Sequence, residues 1–179
     1  MKIFVYILIS FISFTLCLSG YKTFLSLTHP IKYEKIIISN CELFDLDEDV
    51  VASLINVESG YKKDAKSNKN AIGLMQIKLE TANYLNDIEN KSHITEEDLF
   101  IPEINIEYGC KYLRYLINKF EDINTSLAAY NAGETRVRSW LKSDTYTTDG
   151  KTLKTIPYKE TEKYIEKINK NIEYYKKIY

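Results

Sequence analysis

Apolar residues recur at helical spacing along most of the chain, with polar segments between them. The clearest pattern lies in residues 103–120. Its apolar stripe consists of Ile106, Cys110, Leu113, Ile117 and Phe120. Apolar residues at this spacing share one face of an α-helix, as in a helix packed on a core. The pattern therefore predicts that residues 103–120 form the central buried helix.

The same periodicity predicts several further helices, bounded by glycine stop signals and polar loops. They cover residues 33–43, 47–58, a segment beginning at 81, and residues 125–132, 135–141 and 159–179. Asp47 is expected to cap the second of them, and residues 95–98 (TEED) form another helix-start signature. Residues 61–71 and 143–157 are polar and are predicted to be surface loops.

The first residues form a charge-free apolar run. Lys2 precedes residues 3–18, in which serine and threonine are the only polar side chains. This order is typical of an export signal. Continued to Phe24, the run is long enough to span a membrane. Residues 17–20 (CLSG) form a poor cleavage site, and Cys17 lacks the small residues expected before a lipid-modified cysteine. We favour an uncleaved membrane anchor over a cleaved signal, and both place the remaining chain outside the cytoplasm.

The predicted organisation is a signal anchor or signal peptide at 1–24, a connector at 25–33 that contains Pro30, and one globular domain at 34–179. The 179 residues suffice for one domain with its own core. A formal net charge of −1 gives no reason to expect nucleic acid as a partner. The domain is expected to be a monomer.

The cysteines and histidines do not indicate a metal site or a catalytic site. Cys41 and Cys110 lie in the exported part, where a disulfide is permitted, but two buried unpaired thiols are an equal alternative. His29 and His93 are isolated, and no Cys/His cluster has metal-ligand spacing. We therefore predict neither a metal nor a cofactor.

Glu58 ends the apolar face of its predicted helix. Val51, Leu54, Ile55 and Glu58 stand at i, i+3, i+4 and i+7, so the carboxyl points toward the packed side of that helix. Burial raises a carboxyl pKa and makes the group a proton donor near neutral pH, as a general acid requires. The alternative is an ordinary solvated glutamate at a helix end.

Motifs after Glu58-Ser59 favour the first interpretation. They are residues 73–77 (GLMQI), 105–113 (NIEYGCKYL), 129–133 (AYNAG) and 156–165 (IPYKETEKYI). In this order and spacing they resemble the soluble lytic murein transglycosylases, whose SLT domain has a goose-type lysozyme fold. The resemblance implies a mainly α, lysozyme-like helical domain. It also implies at most a small β-hairpin near the catalytic cleft. The N-terminal hydrophobic helix, predicted from the apolar run, precedes this domain.

The resemblance implies a role for each motif residue. Glu58 is the catalytic acid and base, and Ser59 bonds the carboxyl or the reacting group. Gly73 permits close approach of a sugar or supplies a positive φ. Met75 and Gln76 line the groove, as apolar floor and as amide partner, although for Met75 packing in the core is an equal alternative.

Four later residues complete the implied substrate-binding set. Tyr130 hydrogen-bonds near the carboxyl, and Asn131 binds the substrate acetamido group. Glu160 and Tyr164 close the groove from the last helix. For Glu160 and Tyr164, an ordinary i to i+4 surface position is the alternative.

The implied reaction cleaves peptidoglycan glycan strands between N-acetylmuramic acid and N-acetylglucosamine, and it leaves 1,6-anhydro ends. A single acid suits this chemistry because no water is needed, whereas ordinary glycosidases use two carboxylates. A hydrolytic goose-type lysozyme is the first alternative, and a non-catalytic wall-binding protein is the second. The choice between chain ends and interior bonds stays open.

Overall fold

The computed structural model describes residues 2–28 and 31–178. Eight α-helices lie in this part of the chain. They are α1 (Lys2–Thr28), α2 (Glu34–Phe44), α3 (Glu48–Ser59), α4 (Leu79–Ile88), α5 (Pro102–Phe120), α6 (Ile123–Ala132), α7 (Glu134–Trp140) and α8 (Lys159–Ile178). Strands β1 (Ala71–Ile72) and β2 (Ile77–Lys78) form an antiparallel hairpin, and Glu97–Phe100 is a 3₁₀ turn. The prediction of a mainly α fold with a small hairpin is confirmed.

Helix α5 lies at the centre of the domain, as its apolar stripe predicts. It packs against α2, α4 and α6, and the hairpin rests on it. Ile106, Cys110 and Leu113 are fully buried, and Ile117 alone of the stripe is half-buried. Burial of this stripe forms the core on which the surrounding helices are arranged.

Helix α3 runs along α8, and this contact joins two distant parts of the sequence. On α3, Val51, Leu54 and Ile55 are fully buried. The facing side of α8 buries Ile165 and Ile168. The end of α3 therefore meets the beginning of α8.

Helices α4 and α6 begin two residues earlier than predicted, and the other predicted helix starts agree to within one residue. Helix α6 begins at Ile123 because the Asp122 side chain accepts a hydrogen bond of 2.7 Å from the Thr125 amide and caps the helix. Asp47 occupies the N-cap position of α3, but its side chain makes no capping bond. Helix α4 begins at Leu79, directly after β2.

Cys41 and Cys110 are both free, buried thiols. Within the described ranges, no helix has both the length and the apolar character needed to cross a membrane. His29 and Pro30 of the predicted connector, and Tyr179 of the last predicted helix, lie outside the described residues.

Candidate active site

The Glu58 carboxyl opens into a cleft of about 660 Å³ beside the hairpin. Helix α3 ends directly after it, where Gly60 adopts a left-handed conformation with φ of 58°. Burial raises the pKa of Glu58 to about 7, against the smaller opposing effect of a hydrogen bond from Tyr164. The carboxyl therefore exchanges a proton near neutral pH.

Tyr164 fixes the position of that carboxyl from the opposite helix. Its hydroxyl donates a 2.5 Å hydrogen bond to Oε1 of Glu58, across 106 positions of sequence. Burial and the neighbouring Glu58 charge raise the pKa of Tyr164 well above its usual value. Tyr164 thus remains a hydrogen-bond donor in either protonation state of Glu58.

Asn105, at the start of α5, holds the hairpin turn that forms one wall of the cleft. This buried side chain accepts from the Met75 amide at 2.8 Å. It also donates to the carbonyls of Ile72 at 2.9 Å and Leu99 at 2.7 Å. A buried amide with three such bonds fixes the turn against the core helix.

Gly73 is required by this turn in two ways. Its φ of +74° lies in the left-handed region, where a side chain is strained. A Cβ at this position would also lie 2.2 Å from Nδ2 of Asn105. Of the two roles expected for Gly73, the positive φ is therefore the one observed, and the close neighbour is Asn105.

Ser59 and Met75 do not line the cleft and lie behind its wall. The Ser59 hydroxyl donates to the Leu74 carbonyl at 2.8 Å and so ties the end of α3 to the hairpin turn. The Met75 side chain is fully buried, and a Cβ on Gly109 would lie 2.2 Å from its sulfur. Both side chains therefore support the geometry of the site, and of the two interpretations of Met75 the structure shows packing in the core.

Gln76 and Tyr130 line the cleft itself. Gln76 Nε2 donates to the Gly73 carbonyl at 2.9 Å, which orients the amide, and its backbone φ is +50°. The Tyr130 hydroxyl donates to the Met75 carbonyl at 2.8 Å. Burial and then the Glu58 charge raise the pKa of Tyr130, so this ring lies close to the carboxyl while bonding the turn.

The first turn of α8 supplies the opposite wall of the cleft. Glu160 is exposed and lines the cleft. Thr161 is buried and donates from Oγ1 to Oδ1 of Asn131 at 2.8 Å. Asn131 also lines the cleft. The structure therefore brings five of the nine predicted residues to the cleft surface and the other four directly behind it.

Among the residues at or behind the cleft that were not predicted from the sequence, four are notable for their side chains. Asn105 and Thr161 position other groups, whereas Tyr112 and Arg136 line the cleft. Thr161 lies inside the recognised motif and Asn105 begins another, but neither residue type signals burial. The Arg136 guanidinium, 5.2 Å from the centre of the Tyr158 ring, had no sequence signal.

Comparison with known proteins shows that this chain matches a family. The model of the transglycosylase SLT domain matches residues 35–153. The soluble lytic murein transglycosylase of Escherichia coli (strain K12) is 29% identical over 150 residues, covering 82% of this chain and 23% of that protein. The membrane-bound lytic murein transglycosylase E of Buchnera aphidicola is 37% identical over 95 residues, which are 51% of this chain and 42% of that protein.

Solved structures agree with these sequence matches. An inactive Glu-to-Gln mutant of lytic transglycosylase Slt from Pseudomonas aeruginosa superposes with a TM-score of 0.75 at 28% identity. The match covers 86% of this chain and 25% of that one. The 70-kDa soluble lytic transglycosylase in complex with bulgecin A gives the same TM-score and identity. This chain spans about a quarter of the length of these soluble relatives.

Proposed function

The chain belongs to the transglycosylase SLT domain family, and on that premise we propose that it is a peptidoglycan lytic transglycosylase. The proposal depends above all on Glu58, a carboxyl in the cleft whose pKa burial raises to about 7. A carboxyl of this kind can donate a proton and then take one back at the same pH. Lytic transglycosylation requires one group that both donates a proton and accepts one.

In the proposed reaction, protonated Glu58 donates its proton to the glycosidic oxygen between N-acetylmuramic acid and N-acetylglucosamine. The bond from that oxygen to the muramoyl C1 breaks, and positive charge develops at C1. The muramoyl C6 hydroxyl attacks C1 and gives its proton to the Glu58 carboxylate. The product is a 1,6-anhydro end, no water is consumed, and Glu58 regains its proton. A nucleophile held in the same molecule supplies much of the rate, because effective molarities reach about 10⁵ M or more.

The neighbouring side chains support this chemistry by holding groups in place. Tyr164 keeps the carboxyl oriented through its 2.5 Å bond. Thr161 occupies the Asn131 amide oxygen, so the Asn131 Nδ2 can donate to the carbonyl of an acetamido group. The Gln76 Nε2 is occupied by Gly73, so its amide oxygen can accept from a sugar hydroxyl.

The same cleft gives one reason to keep hydrolysis as a second candidate. Glu160 also lines it, and inverting glycosidases use a second carboxylate to activate water. Mass spectrometry of digested peptidoglycan separates the two reactions, because anhydro products are lighter than hydrolysis products by one water molecule. We expect anhydro products from the wild type and none from Glu58→Gln. Hydrated products that persist in Glu160→Gln would contradict both candidate mechanisms.

A non-catalytic wall-binding protein is the third candidate. A protein of this class would bind peptidoglycan and release no fragments at any pH. The same digestion tests it, since both Glu58→Gln and the wild type would then leave the polymer intact.

We also propose that residues 34–179 form the catalytic domain and act on the cell wall outside the cytoplasm. Residues 1–24 would serve as a signal anchor, with a cleaved signal as the alternative. This part of the proposal rests on the charge-free apolar run after Lys2. Cell fractionation with mass measurement of the recovered protein tests it. A shortened protein in the soluble fraction would contradict anchoring, and sedimentation would test the expected monomer.

A further inference from the structure

Four tyrosine rings form a continuous row from the cleft to the outer surface. Tyr130 and Tyr112 both line the cleft, with ring centroids 5.2 Å apart. Tyr112 stacks on Tyr115 at 6.2 Å, and Tyr115 meets Tyr84 edge to face at 5.9 Å. We call these residues the tyrosine row. It begins near Glu58 and ends at Tyr84, which is 48% exposed.

The tyrosine row leaves the cleft along the neighbouring surfaces of α4 and α5. Thr81 on α4 and Tyr112 on α5 line the cleft, and Tyr84 and Tyr115 follow each of them by three residues. Residues three apart on a helix are neighbours on its surface. Glu134 lines a further depression of about 410 Å³. This depression shares three lining residues with the cleft, namely Ala132, Gly133 and Arg136.

The exposed end of the row is held rigidly. The Tyr115 hydroxyl donates to Oε2 of Glu134 at 3.0 Å, and it lies 3.1 Å from the Tyr84 hydroxyl. Because Tyr115 has one proton to donate, Tyr84 is the donor in the second bond. Arg138 in turn donates to Glu134 at 2.8 Å. The Tyr84 ring is therefore fixed at its hydroxyl end although half of the side chain faces solvent.

A fixed, exposed ring at the end of an aromatic row that starts in a polar cleft has the properties of a sugar-stacking platform. The electron-rich face of an aromatic ring attracts the polarised C–H groups on the apolar face of a pyranose. A ring that is already ordered loses little entropy when a ligand binds. The hydroxyl and carboxylate oxygens of Tyr115 and Glu134 lie beside it as hydrogen-bond acceptors for sugar hydroxyls.

We propose that Tyr84, supported by Tyr115 and Glu134, forms a distal sugar subsite that binds the glycan strand beyond the reacting pair of sugars. This inference rests on the proposed function, since it needs a glycan in the cleft. The subsite makes the affinity for a glycan strand depend on the length of that strand. Strands long enough to reach Tyr84 bind more tightly than short ones that occupy only the cleft around Glu58.

The test measures the affinity of the full chain, in detergent, for stem-free peptidoglycan glycan strands of graded length. All proteins carry Glu58→Gln so that the strands are not cut. We expect Tyr84→Ala to weaken binding of long strands by about tenfold, which corresponds to about 1.4 kcal/mol, and to leave the shortest bound strand unaffected. Tyr84→Phe, which keeps the ring, should stay within about threefold of the parent.

Ile88→Ala is the matched control, because Ile88 is 52% exposed one turn further along α4. It should bind strands of all lengths like the parent. Equal affinity of Tyr84→Ala and the parent for long strands would overturn the subsite while leaving the proposed function intact. An equal loss at every length would also overturn it, because the effect would then not be distal. Failure of the parent to bind any strand would overturn the proposed function and the subsite together.

Discussion

Replacing Glu58 by glutamine should stabilise the protein above neutral pH. In the folded protein, burial raises the pKa of this carboxyl from 4.5 to about 7. The unfolded carboxyl therefore releases its proton at lower pH than the folded one. Between these two values the wild type loses stability as pH rises, and above about 7 the loss is constant. A neutral glutamine side chain avoids this loss.

The expected size follows from the two pKa values. Each tenfold change in proton affinity corresponds to about 1.4 kcal/mol, so ionised Glu58 lowers the free energy of unfolding by about 3 kcal/mol. With an m-value of about 2 kcal/mol/M, the urea midpoint of Glu58→Gln should exceed that of the wild type by about 1.5 M at about pH 8. At about pH 4 the two midpoints should nearly coincide.

Urea unfolding followed by tryptophan fluorescence measures this difference, because Trp140 is the single tryptophan and is 7% exposed. Glu173→Gln is the control, since Glu173 is exposed on α8 and its carboxyl stays in water when the protein folds. It should show no comparable gain at high pH. A midpoint difference for Glu58→Gln that stays the same at every pH would refute the burial of an ionisable carboxyl. A wild type more stable than Glu58→Gln at about pH 8 would refute it more directly.

Four further predictions concern the same site. With peptidoglycan as substrate, kcat/KM should fall about tenfold for each pH unit above about 7, because Glu58 must begin protonated, and a flat profile would remove it as the acid. Tyr164→Phe should move this fall to higher pH, because the hydrogen bond from Tyr164 lowers the pKa of Glu58 and its loss raises that pKa; an unmoved profile would contradict that role. Asn105→Ala should lower the free energy of unfolding by about 3 kcal/mol, since three buried backbone groups lose their partner, and a change below about 1 kcal/mol in urea would count against it. Gly109→Ala should cost about 1–3 kcal/mol through its clash with Met75, and Met75→Ala should then cost less in that variant than in the wild type; additive losses would exclude the contact.

Local patterns in the sequence were sufficient to place most of the helices. The stripe on α5 and the apolar face of α3 were correctly assigned, because helical periodicity depends on residues only a few positions apart. The start of α6 was predicted two residues late, since the cap from Asp122 was not recognised. These differences are small because a helix end depends on one or two side-chain bonds.

The sequence by itself determined that Glu58 ends a buried helix face and that the motif residues follow it in a family order. The tertiary structure alone decided what each of them contacts. The bond from Tyr164 to Glu58 joins α8 to α3, and two of the three bonds of Asn105 hold a turn that lies about thirty residues earlier. Met75 packs in the core, a choice that its motif left open. Periodicity fixes which face of an element is buried, but only long-range packing selects the atoms that meet that face.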